Sequence, residues 1–171
     1  IDYAFRNDRS EYLDIFLFAN CDICISTGTG PDTISDGFRK PSLQVNLLPL
    51  TDMFSWSDAI HVPKHLLWQQ SGQRLSVAEH IANNYHSSEE YTAVGIDIVD
   101  LTPQEILCVV KERWMRAKGT WIEEPEDVEF QSKFLNILKQ CPNYDSLHQW
   151  IHPKARVGSD WLRLMADASL L

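Results

Sequence analysis

The fold is decided by the stretch Ile23-Cys24-Ile25-Ser26-Thr27-Gly28-Thr29-Gly30-Pro31. Its first four residues form a short, mostly apolar run, which is typical of a buried parallel strand. Two glycines then lead into a proline, and proline is favoured in the first turn of a helix. We therefore predict a strand over residues 23–26, a glycine turn, and a helix over residues 31–38.

The sequence on either side of this stretch extends the same pattern. Downstream, Gly37 and Pro41 end the helix, and residues 42–46 form the next apolar run, which completes a strand-helix-strand crossover. Upstream, residues 10–20 have an apolar stripe at helical spacing, with Ser10 as a plausible N-cap. The predicted fold class is α/β: a Rossmann-like parallel sheet flanked by helices, with extra helices at the C-terminal end.

The remaining two thirds of the chain is predicted to be mainly helical. Residues 47–72 contain two prolines and a glycine, and they are predicted to be a long irregular loop. Two Ser/Thr-x-x-Glu capping boxes, Ser76 with Glu79 and Thr102 with Glu105, each open a helix. The predicted helices after the loop cover residues 75–85, 103–117, 126–139 and 159–168, and the last three have apolar stripes that include Val109 and Trp114, Phe134, and Leu162 respectively. Residues 94–99 are predicted to be a strand, with a turn or an edge strand as alternatives.

Size and charge limit the possible functions. The chain has 171 residues, the size of one domain, and a formal net charge of -9. Nucleic acid is not expected as a partner, because binding its backbone requires clustered Lys and Arg. No apolar run reaches the length of about 20 residues that a membrane-spanning helix needs. The chain begins at Ile1 without an initiator Met, so residues 1–171 are interpreted as one domain of a longer protein whose N-terminal part is missing.

Four cysteines indicate a reduced, cytoplasmic protein. Cys21 and Cys24 have the CxxC spacing of redox and zinc sites, but neither a second CxxC nor a His pair accompanies them. Free cysteines are usually buried, so all four, including Cys108 and Cys141, are interpreted as core thiols. We expect no metal site.

The glycine turn has the chemistry of a diphosphate cradle. Glycines let the backbone approach an anion closely, the hydroxyls of Ser26, Thr27 and Thr29 can donate hydrogen bonds, and the following helix adds N–H donors. Ligands of open α/β sheets also bind at the carboxyl ends of the strands. The spacing matches neither the dinucleotide fingerprint nor the Walker A loop. Spacing alone therefore leaves an empty strand-to-helix turn as an equal alternative.

The sequence also resembles a family of bacterial proteins assigned as glycosyltransferases. The matches lie in order along nearly the whole chain, and most of the specificity is in the first 50 residues. They are residues 10–17, Asn20-Cys21, Ile25-Ser26-Thr27-Gly28-Thr29-Gly30, Gly37-Phe38-Arg39-Lys40-Pro41, Asn46-Leu47-Leu48-Pro49-Leu50, Val62-Pro63-Lys64, Arg74-Leu75-Ser76, and Ala155 to Leu171. This chain has Ser26 where the family commonly has glycine, and Thr29 where it has serine.

The resemblance implies the GT-B layout, in which two Rossmann-like domains face each other, and this chain would be the C-terminal domain that binds the sugar-nucleotide donor. It implies metal-independent transfer of a sugar to a surface glycan or a similar acceptor, with the missing N-terminal domain completing the site. No cofactor is expected, because the nucleotide-sugar is the substrate. A sugar-nucleotide epimerase of the same layout and a non-catalytic nucleotide- or glycan-binding module remain alternatives.

The expected donor-binding residues extend beyond the turn. Asp32 and Thr33 stand in the first turn of the following helix, where the resemblance implies a ribose or phosphate contact. Asn46 ends the second strand and could contact base or sugar, although turn formation is an equal alternative. Lys64 follows a proline and could neutralise a phosphate, or it could be a solvated surface lysine. The sequence identifies no catalytic base.

Overall fold

The computed structural model describes residues 3–171, except for the side chain of Ala4, and these residues form eight α-helices and six β-strands. The helices are α1 (Glu11–Asn20), α2 (Asp32–Gly37), α3 (Val77–Ala82), α4 (Ser88–Ala93), α5 (Pro103–Lys118), α6 (Pro125–Leu138), α7 (Tyr144–Leu147) and α8 (Ser159–Asp167). The strands are β1 (Cys24–Ser26), β2 (Ser42–Leu47), β3 (Ala59–Pro63), β4 (His65–Trp68), β5 (Ile96–Val99) and β6 (Arg156–Val157).

Four strands form a parallel sheet in the order β1-β2-β3-β6. Cys24 lies opposite Ser42, Ser42 lies opposite Ala59, and Ile60 lies opposite Arg156. Because all four strands run the same way, their carboxyl ends share one edge of the sheet. We call this the carboxyl edge, where the strands are followed by Thr27, Leu48, Lys64 and Gly158. We call the opposite side the amino edge, where the strands are preceded by Ile23, Pro41, Asp58 and Ala155.

This architecture confirms the α/β class with a parallel sheet flanked by helices. The predicted strand-helix-strand unit is present, since α2 connects the parallel neighbours β1 and β2. The capping boxes are also confirmed. Ser76 and Thr102 each accept a hydrogen bond from the backbone N–H of the glutamate three residues later, and that glutamate's carboxylate accepts one from the cap's backbone N–H.

The prediction of a long irregular loop over residues 47–72 is wrong. This segment contains β3, which lies between β2 and β6 with all five residues buried, and β4, which pairs antiparallel with β5. The one polar side chain of β3 is that of His61, which is fully buried and neutral. Its Nε2 accepts a hydrogen bond from the Phe54 N–H at 2.9 Å, so its Nδ1 donates to the Arg156 carbonyl at 3.2 Å. Pro63 does not interrupt the strand because it stands at the strand's end.

The core lies between the parallel sheet and the C-terminal helices. Leu43 and Ile60 of the sheet join one buried cluster with Val109 of α5, Phe134 of α6 and Leu162 of α8. The predicted apolar stripes of these three helices therefore face inward, as expected from their periodicity.

Two predictions of buried side chains are wrong, one in α1 and one at a single position of α5. In α1 no residue is buried, and Phe16 is 48% exposed although it belongs to the predicted stripe. Trp114 of α5, predicted to lie inside, is 44% exposed, and the Lys118 ammonium lies 4.4 Å over its ring. Helical spacing identifies which residues share a face, but it does not identify what covers that face.

Candidate functional site

The glycine turn lies at the carboxyl edge, directly after β1. The Ser26 hydroxyl accepts a hydrogen bond from the Gly28 N–H at 3.2 Å. Gly28 and Gly30 have φ angles of 77° and 84°, which other residues rarely adopt. The N–H and the hydroxyl of Thr33 both donate to the Gly30 carbonyl, at 3.0 and 2.6 Å. These bonds fix the turn, while Thr27 through Gly30 stay exposed to solvent.

A buried amide lies next to this turn and was not predicted from the sequence. Gln44 of β2 is 1% exposed, and neither its Nε2 nor its Oε1 has a hydrogen-bond partner within residues 3–171. A Cβ added to Gly28 would lie 3.9 Å from the Gln44 Oε1 and 3.6 Å from a methyl group of Leu47. Buried polar groups are nearly always paired, so the amide is an unused donor and acceptor beside the turn. The available signal was a lone amide inside the apolar run 42–47.

Asp32 is buried, whereas Thr33 is exposed but hydrogen-bonded within the turn. The Asp32 carboxylate is 2% exposed, and neither of its oxygens has a hydrogen-bond partner among residues 3–171. Burial raises the pKa of the Cys24 thiol, and the neighbouring Asp32 charge adds to this effect. Thr33 is occupied by its bonds to Gly30. The helix they begin, α2, has only six residues, so its dipole contributes little to anion binding.

Asn46 and Lys64 lie at the same edge but contact the segment that leads into α5. The Asn46 Oδ1 accepts a hydrogen bond from the Leu101 N–H at 2.8 Å, and its backbone is left-handed, with φ of 55°. The Lys64 ammonium lies 2.7 Å from a carboxylate oxygen of Asp100. The five residues of the glycine turn thus lie together at the surface. Asn46 and Lys64 instead contact residues 100–101.

A concavity of about 170 Å³ opens at the carboxyl edge between β3, α5 and α8. Its lining is mostly apolar and consists of Val62, Leu101, Glu105, Val109, Gly158, Asp160, Trp161 and Leu164. The Glu105 carboxylate lies 2.8 Å from the Nε2 of His65. Burial opposes ionisation of Glu105, but hydrogen bonds from Thr102 and His65 outweigh burial and leave its pKa below the ordinary value. This concavity could hold an apolar or aromatic ring beside the carboxylates of Glu105 and Asp160.

Trp56 and Trp68, which lie in the segment 47–72, could stack on a ligand ring, but both have partners within the chain. The Trp56 ring stacks on Phe54 with centroids 5.1 Å apart, and its Nε1 donates to Asp36 at 3.2 Å. The Trp68 Nε1 donates to Glu79 at 3.3 Å. Trp56 therefore lies near the amino edge, away from the glycine turn.

The cysteines have no disulfide partners among the described residues. Cys24 and Cys141 are buried, as predicted, whereas Cys21 and Cys108 are partly exposed. Within residues 3–171, no three His, Cys, Asp or Glu side chains converge as metal ligands. No helix in this range is long and apolar enough to cross a membrane.

Comparison with models of known families, with curated proteins and with solved structures finds no match to this chain. The functional assignment therefore depends on the geometry of the carboxyl edge and on the resemblance described above.

Proposed function

We propose that the carboxyl edge binds the diphosphate of a sugar-nucleotide donor, and that the chain is the donor-binding half of a GT-B glycosyltransferase. The observation that carries this proposal is the exposed Gly28, lying beside the buried and unpartnered amide of Gln44. An anion resting on Gly28 would meet no side chain from the turn itself. The amide could then turn its Nε2 donors toward a phosphate oxygen.

The rest of the edge supports the same ligand. Thr27 and Thr29, the exposed neighbours of Gly28 in the chain, carry hydroxyls that could donate to an anion, and both glycines of the turn have a positive φ. The 170 Å³ concavity at the carboxyl ends of β3 and β6 provides a mostly apolar surface for the base or the sugar. Neighbouring strands are about 4.8 Å apart, so the edge from β1 to β6 spans about 14 Å, roughly the length of a sugar nucleotide.

The proposed chemical role is stabilisation of the leaving group. When the sugar departs, negative charge grows on the nucleoside diphosphate. Hydrogen-bond donors that are already fixed around that charge lower the barrier more than donors that must first reorganise. In this account the chain supplies leaving-group stabilisation, while the acceptor and its base come from a facing domain.

Calorimetric titration with nucleoside diphosphates tests the site. Gly28→Val places a branched side chain against Gln44 and Leu47, and we expect diphosphate affinity to fall at least about tenfold. Gly72→Val is the matched control: its φ of 67° imposes similar backbone strain in the turn after β4, and a Cβ at this position meets no atom within 4 Å. Equal affinity in the two variants would contradict the proposal.

A second variant separates binding from stability. Gln44→Leu removes an unpartnered buried amide, so the free protein should be at least as stable as the wild type. Its affinity for the diphosphate should nevertheless fall. Product analysis with a panel of nucleotide-sugars and the full-length protein then distinguishes sugar transfer from binding alone.

A further inference from the structure

A polar cavity of about 200 Å³ lies at the amino edge of the sheet, opposite the edge that carries the glycine turn. It is bounded by the end of α5, the segment that follows α5, and the starts of β3 and β6. Its lining residues are Asp58, Arg113, Arg116, Gly119, Trp121, Glu123, Lys154 and Arg156. Four of these eight residues are cationic, although the chain as a whole has a net charge of -9.

The cations outnumber the carboxylates that they contact. Arg113 lies 2.7 Å and Lys154 3.6 Å from the Asp58 carboxylate. Arg116 and Arg156 share Glu123, at 2.7 and 3.0 Å.

Each of the two carboxylates, Asp58 and Glu123, is shared by two cations. The hydrogen bond donated by Arg116 lowers the pKa of Glu123, and the charge of Arg156 lowers it further, so Glu123 is ionised. Arg116 also contacts Glu112 at 2.8 Å, so four cations face three carboxylates. One positive charge is left over.

Two buried donors in this lining have no acceptor. The Nε of Arg113 and the Nε1 of Trp121 are both shielded from solvent and make no hydrogen bond within residues 3–171. Arg113 as a whole is only 2% exposed. The Arg116 guanidinium lies 4.9 Å over the Trp121 ring, which holds the indole in place. A buried donor without a partner is destabilising, so two of them in one lining indicate a place for an acceptor that the chain itself does not provide.

We propose that this amino-edge cavity binds a phosphate-sized oxyanion. Such an anion supplies several acceptor oxygens at once, balances the surplus positive charge, and fits the available volume. Planar guanidinium groups and an indole N–H are suitable donors to phosphate oxygens. This site is independent of the glycine turn, because it lies at the other edge of the sheet.

An adjoining cavity extends the site toward a larger ligand. It encloses about 390 Å³ and shares Asp58 and Lys154 with the first cavity. Its other lining residues are Asp36, Arg39, Lys40, Trp56, Ser57 and His152. The exposed Trp56 ring offers a surface for an apolar or aromatic group. The anion could therefore be free phosphate or the phosphate of a small phosphomonoester, and both present the same oxygens to the first cavity.

Trp121→Phe is the most direct test, because it keeps an aromatic ring and removes the unpartnered N–H together with part of the bicyclic indole. The wild type and this variant are titrated with inorganic phosphate at constant ionic strength, and the indole ¹H–¹⁵N resonance of Trp121 is followed in the wild type. We expect that resonance to shift on binding, and the variant to bind phosphate about tenfold more weakly, as for the loss of one hydrogen bond to an anion. Without phosphate, the variant should be as stable as the wild type.

Two further variants complete the design. Trp114→Phe is the matched control, since Trp114 belongs to α5 but is not part of the lining, and its phosphate affinity should be unchanged. Lys154→Gln changes a largely exposed side chain with little risk to folding, and it should weaken phosphate binding severalfold. If Trp121→Phe fails to fold, Lys154→Gln decides.

Ribose 5-phosphate and glycerol 3-phosphate distinguish the two sources. Tighter binding of a phosphomonoester than of inorganic phosphate supports a ligand that also occupies the adjoining cavity, whereas equal affinity supports the free anion. The proposal is overturned if ~10 mM phosphate, well above a weak Kd of ~1 mM, leaves the indole resonance unmoved. It is also overturned if phosphate binds equally to the wild type, Trp121→Phe and Lys154→Gln.

Discussion

The two edges of the parallel sheet satisfy their polar groups in different ways. At the amino edge, ion pairs connect separate elements, as in Arg113 with Asp58 and Arg156 with Glu123. At the carboxyl edge, residues 26–30 contain no charged side chain, and the turn is fixed by hydroxyl-to-backbone bonds and by two glycines with positive φ. Ion pairs between separate elements therefore dominate in the cavity at the amino edge, whereas the glycine turn at the carboxyl edge is held by its own backbone.

This difference determines which ligand each edge suits. A backbone turn costs little to keep open, and it can approach a diphosphate closely without a charged side chain in between. The cluster of guanidinium groups at the amino edge instead favours a ligand with negative charge. Helix α5 runs between the two edges, with Glu105 near the carboxyl edge and Arg116 near the amino edge. Changes along α5 and in the strands beside it therefore test how strongly the two edges depend on each other.

The largest expected effect is that of pH on stability. Burial lowers the pKa of His61 and of His80 to about 4. Unfolding returns each imidazole to an ordinary pKa near 6.5, so the unfolded chain binds more protons below that pH. Stability is therefore full above about pH 6.5 and is lost as pH falls toward 4. Together the two histidines should cost about 5 kcal/mol of unfolding free energy between pH 7 and 4.5, measurable by urea denaturation.

Variants of single histidines divide this effect between the edges. His61 binds the Phe54 segment near the amino edge, whereas His80 packs against Trp161 near the carboxyl edge, with ring centroids 5.7 Å apart. His80→Gln should remove about half of the histidine-dependent slope of stability against pH. A slope for His80→Gln identical to that of the wild type would refute the assignment to His80.

Glu112 connects the two edges, and its loss should have the next largest effect. This buried carboxylate accepts hydrogen bonds from the Ser159 N–H at 2.9 Å, at the start of α8, and from the Arg116 Nε at 2.8 Å. Glu112→Ala leaves the Ser159 N–H and the Arg116 Nε without an acceptor, although the Arg116 guanidinium keeps its contact with Glu123. The loss of these two buried hydrogen bonds should lower the unfolding free energy by about 2–5 kcal/mol.

The control for Glu112→Ala is a glutamate that also pairs four residues along a helix but lies on the surface. Glu129 contacts Lys133 at 2.9 Å, and both side chains are at least half exposed. Glu129→Ala should therefore change the unfolding free energy by less than about 1 kcal/mol. Similar losses in the two variants, measured by chemical denaturation, would show that Glu112 does not connect the edges.

Gly158 tests how tightly the carboxyl edge is packed beside the 170 Å³ concavity. A Cβ at this position would lie 2.8 Å from a methyl group of Val62 and 3.2 Å from one of Val109. Gly158→Ala should cost about 1–3 kcal/mol of unfolding free energy through overpacking. Gly37→Ala meets no atom within 4 Å and should be neutral or slightly stabilising. Equal thermal unfolding of the two variants would mean that the edge can relax around a side chain.

Local signals in the sequence predicted the elements with strong start and stop residues. The glycine turn with Pro31 identified the crossover from β1 to β2, and the capping boxes located α3 and α5. The helix α4 was missed although Ser87 and Glu90 form a third capping box. The capping box was present in the sequence, but the helix that follows it is too short to have been recognised.

Elements that depend on distant partners could not be predicted. The strand β6 has only two residues, and it exists because β3 offers a free edge about 95 positions earlier in the chain. For β3, the prolines and the glycine of residues 47–72 led to the loop prediction. The sequence does not show that the ring nitrogens of the buried His61 are satisfied by Phe54 and Arg156. In the candidate site, the sequence predicted the surface turn, but Gln44 and the partners of Asn46 and Lys64 required the tertiary structure.

The central claim, that the carboxyl edge binds the donor diphosphate, is tested most directly by ¹H–¹⁵N correlation spectra of the chain titrated with a nucleoside diphosphate. This account predicts that the largest and saturable shifts occur at the amides of Thr27 to Gly30 and at the side-chain amide of Gln44, with smaller shifts at Gly119 and Trp121. Saturable shifts confined to Gly119 and Trp121, with the turn resonances unchanged, would contradict it.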